Sequence, residues 1–264
     1  MPYDAQSGYE FILGMALAIA RMLPVMMLVP AFCFKNIRGP LRYALVSALA
    51  LIPGPTLGHT LVAHGDDFVA IIGLLLKEGV LGIMLGLMMY APFWMFASVG
   101  ALLDNQRGAL SGGQLNPALG PDATPLGELF EQTLIMLLVM SGGFLLLMQV
   151  IWDSYLIWPP TDWLPVMDAA GLDVFLTQLN HTLQDMMLYA APFIGLLLLI
   201  EAALALIGLY AQQLQVFSLA MPAKCIGGVA FLIVYLPTLK ELGSGQLQHL
   251  LDLKYLLGLL VKQS

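Results

Sequence analysis

"GVLGIMLGLMMYAPFWMFASVGALLDNQR", residues 79–107, carries no charged side chain until Asp104 and Arg107. Its charge-free part is longer than the roughly 20 residues that take a helix across a bilayer core. Similar uncharged runs occupy 43–65, 132–152 and 202–223. Hydrophobic residues make up 59% of the 264 positions and charged residues only 10%. The mean hydropathy is +0.86, well above that of soluble domains. The chain therefore reads as an integral membrane protein.

A chain in lipid must satisfy its backbone hydrogen bonds internally, and no alternating barrel pattern is present, so the segments are predicted to be helices. The expected fold is all-α and polytopic. About six hydrophobic helices, at 11–34, 43–63, 79–103, 132–152, 186–210 and 216–238, are arranged in hairpins. Residues 68–78 form a further apolar stretch, read as an interfacial helix or a tilted extension of the third segment. In "QLQHLLDLKYLLGLL", 246–260, Leu247, Leu250, Leu251, Leu257 and Leu260 fall near helical spacing, which predicts a C-terminal amphipathic helix. No linker divides the chain, which reads as one domain over 1–264 with a main body at 11–240 and a tail at 241–264. Residues 1–10 hold Asp4 and Glu10 and no basic residue, unlike a cleaved secretory signal.

Loop charges suggest an orientation. Lys35, Arg38, Arg42 and Arg107 follow the first and third segments, whereas 153–185 holds five Asp and no Lys or Arg. The positive-inside rule then puts the basic loops in the cytoplasm and the N-terminus outside. The net charge of −7 speaks against a nucleic-acid surface. His59, His64, His181 and His249 are scattered, and Cys33 and Cys225 read as small packing residues. No zinc-protease, nucleophile-elbow or phosphate-loop pattern is present. Neither an enzyme, a cofactor nor a metal site is expected.

Ionisable residues inside apolar runs are the functional candidates, since a charge at mid-bilayer costs about 2.5–3.5 kcal/mol on insertion scales. Arg21, Glu201 and Lys224 interrupt such runs. Glu201 and Lys224 are equidistant from Gln212–Gln213, the polar centre between the last two segments. An antiparallel hairpin turning there places both about 16 Å from the turn, in position to pair. Separate partners for the two remain the alternative. Gly79, Gly82 and Gly86 share helical spacing and suit close backbone approach. As residues alone, Asp104, Asn105, Gln106 and Arg107 followed by Gly108, Gly112, Gly113, Pro117, Gly120 and Pro121 read as a capped helix end and an irregular loop; Asp104 and Arg107 lie three apart and pair if the helix continues through them. Such a loop sits at membrane depth only inside protein or a water-filled cavity. An independent ion-coupled transporter using Arg21, Glu201 and Lys224 is a second reading.

"ALLDNQRGA", 101–109, and "PFIGLLLLIEAALALIGLYAQQLQVFSLAMPAK", 192–224, are similar to the FliR/SpaR/SctT family, the export-apparatus membrane proteins of flagella and type III secretion injectisomes. The DNQRGA block resembles the injectisome branch in particular. Arg21 with Pro24 and Pro30, Arg38, Arg42, Glu78-Gly79, Pro192, Glu201, Gln213, Phe217, Pro222 and Lys224 extend the resemblance over about 11–240. One departure is Gln212-Gln213-Leu214-Gln215 where the family commonly has Pro-Gln-x-Asn, which softens the expected turn.

The resemblance implies a non-enzymatic subunit of a helical hetero-oligomeric gate built with SctR and SctS. SctU and SctV are further implied neighbours, and unfolded substrates pass through the centre. It implies a bacterial inner-membrane location within the secretion basal body, raised toward the periplasm on assembly. It also implies that the loop 107–121 plugs the closed pore and that Arg21, Glu78, Glu201 and Lys224 are buried charges used in assembly.

Overall fold

The computed structural model describes residues 2–32, 37, 39–62, 68–108, 124–160, 169–210 and 216–260. Helices α1 (Pro2–Leu28), α2 (Pro40–Ala50), α3 (Gly54–Val62), α4 (Phe68–Gln106), α5 (Pro125–Met140), α6 (Gly143–Ile157), α7 (Ala169–Tyr210) and α8 (Val216–Leu260) account for most of them, with a 3-10 turn at Pro30–Phe32. Among the described residues there is no strand. Among the described residues four helices contain stretches long and apolar enough to span a membrane, Gly8–Leu28, Val69–Gln106, Phe175–Tyr210 and Ser218–Gln248, and α5 with α6 would make a fifth, broken span. The all-α, polytopic expectation holds.

Where the boundaries differ from expectation, backbone chemistry is the reason. The segment 43–63 is two short helices, α2 and α3, interrupted before Gly54 by Leu51-Ile52-Pro53. Pro53 has no N–H to continue the ladder, and its carbonyl accepts the Thr56 hydroxyl at 2.7 Å. Segment 132–152 breaks at Ser141-Gly142, with Gly142 left-handed at φ 72; glycine reaches that conformation without the Cβ clash other residues meet. Of the two readings of 68–78, the extension holds: it joins the third segment in the single 39-residue α4. The helical tail is continuous with the sixth segment in the 45-residue α8. Both helices tolerate internal prolines, Pro92 in α4 and Pro222 and Pro237 in α8, as membrane helices can.

The backbone divides into two compact units, Met1–Ala91 with Ser141–Gln178 and Gln248–Ser264, and Pro92–Met140 with Leu179–Leu247. In the first, α1 and α3 pack backbone to backbone. A Cβ on Gly14 would lie 2.1 Å from the Gly54 carbonyl oxygen, and one on Gly58 would lie 2.1 Å from that of Glu10. The α1–α4 contact also uses glycine. A Cβ on Gly82 would fall 2.3 Å from the Arg21 carbonyl oxygen, and one on Gly86 would fall 3.1 Å from Val25 Cα, whereas Gly79 has open space. Two of the three glycines picked out by spacing therefore line the close approach.

Gly82→Ala is expected to lower the amount of folded chain in the membrane several-fold, because rigid backbone stands in the way. Gly79→Ala is expected to leave it unchanged. Immunoblotting of membranes from matched cultures reads both, and equal levels would refute the close-approach role.

In the second unit, Phe93, Met95, Phe96, Val99 and Leu103 of α4 are buried, as are Phe130, Leu134 and Leu138 of α5. Phe193 of α7 meets Phe231 and Tyr235 of α8 edge-on, with centroids 4.9 and 5.1 Å away. Much of the remaining α7 and α8 surface is apolar and exposed, including Leu198, Leu199, Leu206, Ile207, Ile226, Ile233 and Val234. Exposed apolar area on this scale suits lipid or a partner rather than water.

Candidate functional site: buried charges and the base of the 108–124 loop

Arg21 is completely buried, and each of its guanidinium nitrogens is bonded. Its Nε donates to Glu78 Oε2 at 2.6 Å. Nη1 donates to the Ser154 carbonyl at 2.7 Å and to Ser154 Oγ at 3.2 Å. Nη2 donates to the Trp158 carbonyl at 2.8 Å. The guanidinium carbon also stands 4.3 Å from the centre of the Tyr155 ring, whose hydroxyl donates to the Ala18 carbonyl at 2.9 Å. Glu78 is equally buried, and Lys77 Nζ lies 3.0 Å from its Oε1. Lys77 also donates to the Pro160 carbonyl at 3.0 Å.

The local reason lies at the end of α6. Pro159-Pro160 follows soon after Ile157 and cannot continue the helix, so the carbonyls beyond Ser154 lose their intrahelical donors, while that of Ser154 accepts Trp158 N–H at 2.9 Å and has a lone pair to spare. Arg21 and Lys77 supply donors, and the partial negative charge of the helix C-terminus suits two cations. One carboxylate, Glu78, faces those two cations, and the helix end offsets the excess charge. The planar fork of arginine meets Glu78, Ser154 and Trp158 from three separate nitrogens, whereas the three donors of an ammonium all start from one atom. Of these partners the sequence pointed to Glu78 alone, through resemblance. Lys77, Ser154, Tyr155 and Trp158 carried no signal beyond the adjacent Pro-Pro helix stop.

In the second unit, α4 ends where the sequence becomes polar. Arg107 N–H donates to the Leu103 carbonyl and Gly108 N–H to that of Asn105, each at 3.1 Å, and Gly108 adopts φ 78, a glycine helix stop. Asp104 is fully buried, while Asn105 and Gln106 are exposed. The Asp104 carboxylate faces two ways. Oδ1 accepts Arg107 Nε at 2.8 Å and also pairs with Arg107 Nη2. Oδ2 accepts the backbone N–H of Leu126 at 2.7 Å.

Leu126 is in the first turn of α5, with Pro125 as its opening residue. Thr124 caps that helix, its Oγ1 accepting Gly127 N–H at 3.2 Å and its carbonyl accepting Glu128 N–H at 2.9 Å. Asp104 thus satisfies a second orphan donor, with its charge at the favourable end of the helix dipole. Close approach is again made by glycine, since a Cβ on Gly100 would lie 2.4 Å from the Leu126 carbonyl oxygen. The two flanks of the 108–124 stretch are therefore tied at one carboxylate. Gly112, Gly113, Pro117, Gly120 and Pro121 lie outside the described residues, as do Gln212 and Gln213.

The third cluster is the α7–α8 pair. Lys224 Nζ donates to Glu201 Oε2 at 2.7 Å, the pairing that equal spacing from Gln212–Gln213 allows. Burial differs from expectation. The Glu201 side chain is 54% exposed and that of Lys224 14%, because this face of α7 and α8 is uncovered in the isolated chain. Phe217 falls in the first turn of α8. Further along the same two helices, Gln246 Nε2 donates to Asp185 Oδ2 at 2.8 Å and to the Tyr189 hydroxyl at 2.9 Å. Among the described residues no three His, Cys, Asp or Glu side chains converge as a metal site would require. These clusters fix helices and the two flanks of residues 109–123.

The sequence matches the family described as "Bacterial export proteins, family 1" over residues 12–250. The chain is a family 1 bacterial export protein. Among the relatives of this export protein is "Yop proteins translocation protein T" of Yersinia pestis, 33% identical over 85% of this chain and 86% of its own. Another is "Surface presentation of antigens protein SpaR" of Salmonella typhimurium, 29% identical over 86% and 84%. "Flagellar biosynthetic protein FliR" of Caulobacter vibrioides is 24% identical over 90% and 94%. The resemblance to the FliR/SpaR/SctT family is thus confirmed, and the export protein belongs with the type III export apparatus. Its long apolar helices fit the bacterial inner membrane.

Proposed function

We propose that this export protein is a structural and gating subunit of the type III secretion export apparatus. With SctR and SctS it forms the closed pore through which unfolded proteins leave, next to SctU and SctV, within a basal body that lifts it toward the periplasm. In this reading the loop 107–121 is the plug. The carrying observation is the carboxylate of Asp104, which grips Arg107 on one side of the loop and the Leu126 N–H on the other. A stopper must be held at its base if it is to block flow and still yield to a substrate, and a doubly engaged buried carboxylate holds both ends without needing contacts along the loop. The transporter alternative gains no support, because every guanidinium nitrogen of Arg21 is committed to a protein acceptor.

Deletion of 110–118 in cells that assemble the secretion apparatus tests the plug. The expected result is a normal amount of assembled complex with an increased ion leak across the inner membrane, read as accelerated collapse of the membrane potential. Intact assembly without leak would reject the plug.

A further inference from the structure

We propose that a groove in the second unit, between α4, α5 and α8, seats one acyl chain of an anionic phospholipid whose phosphate is held by Lys240. The groove has a volume of about 630 Å³ and is walled by Phe96, Phe130, Leu137, Met140, Ile233 and Leu236, among others. Thr133 and Lys240 are the polar side chains on its wall. The Thr133 hydroxyl is already given to the Leu129 carbonyl at 2.7 Å. Lys240 is exposed, and among the described residues no carboxylate lies within ion-pair distance of it.

The position of Lys240 along the hairpin is what selects a lipid. Between Lys224 and Lys240 α8 has no charge, and between Asp185 and Glu201 α7 has none. Asp185 of α7 and Gln246 of α8 are bonded to each other, so the apolar stretches of both helices end toward the same end of the hairpin, where Lys240 is the first charge along α8 after Lys224. That is headgroup level for a pair of spans. An apolar groove opening beside a lone cation at this level matches a phosphate with its chain running inward.

An open groove with apolar walls is better covered by lipid or protein than by water. An acyl chain is narrow, apolar and abundant in the surrounding membrane.

The test uses the full chain, purified from bacterial membranes in mild detergent with the proteins that remain bound to it. It is titrated with phosphatidylglycerol or phosphatidylcholine of matched chains and weighed by native mass spectrometry. One cation near the headgroups contributes about 1 kcal/mol, so phosphatidylglycerol should bind about fivefold more tightly. Lys240→Gln should erase that preference while an acyl chain still binds. Leu137→Trp, which fills the groove from α5, should remove the site for both lipids.

Equal affinity for the two lipids in the wild type, or an unchanged preference in Lys240→Gln, would overturn the proposal. A folded Leu137→Trp protein with undiminished lipid binding would also overturn it. So would a wild type that carries no lipid because a co-purifying protein fills the groove. Lys240 is on the surface, so its substitution tests the idea even if Leu137→Trp fails to accumulate.

Discussion

Arg21→Met is expected to reduce the folded chain in membranes to a small fraction of the wild-type level. Breaking a buried ion pair by removing one partner costs about 3–5 kcal/mol, a large share of the roughly 5–15 kcal/mol that holds a typical domain together. Here Lys77 remains 3.0 Å from Glu78, so the carboxylate is not left alone. The loss should fall near the lower bound, with the carbonyls of Ser154 and Trp158 each losing a donor. Glu78→Met is the harsher change, because it leaves two cations facing each other without an anion.

Arg21→Lys keeps the charge but carries its three donors on one nitrogen, so it is expected to lose part of the Glu78, Ser154 and Trp158 contacts and to lie between the wild type and Arg21→Met. Membrane immunoblots and the thermal midpoint of detergent-purified protein give the order: wild type, Arg21→Lys, Arg21→Met, Glu78→Met. Wild-type levels in Arg21→Met would sink the idea that this cluster holds α1, α4 and α6 together.

Helix type and rough position were readable because a lipid-facing chain has few alternatives to helix. The breaks were not. Pro53 and Gly142 sit within unbroken apolar runs, and hydropathy does not register a missing N–H or a left-handed φ. At 68–78 two readings stood open, and the extension of the third segment holds, with Lys77 and Glu78 inside α4. They are neutralised by Arg21 and by carbonyls beyond the end of α6, partners far away in sequence. The i,i+3 spacing of Asp104 and Arg107 made their pairing legible. Equal distance from the Gln212–Gln213 centre did the same for Glu201 and Lys224. The Asp104–Leu126 bond was hidden, because it depends on how the chain returns after the 108–124 stretch. Hydropathy also implied that Glu201 is buried. The isolated chain leaves it half exposed, and covering it falls to whatever packs against α7 and α8 in the membrane.

Asp104 allows the loop base to be tested apart from the loop itself. Asp104→Leu strands the Leu126 N–H and frees Arg107, with a charge-assisted bond worth about 1.5–3 kcal/mol lost on each side. It is expected to lower chain levels sharply. Asp104→Asn is the informative change, since its carbonyl oxygen still accepts the Leu126 N–H while the ion pair with Arg107 is gone. The chain should then accumulate at near wild-type levels, yet the assembled complex should leak ions. The leak should be weaker than that of the 110–118 deletion, because the stopper is present but loosely held. If the deletion leaks and Asp104→Asn does not, the plug stands and the carboxylate is only a helix cap. If Asp104→Asn leaks as much as the deletion, the ion pair with Arg107 carries most of the closure. Membrane-potential decay in the same cells measures both, with complex abundance as the denominator.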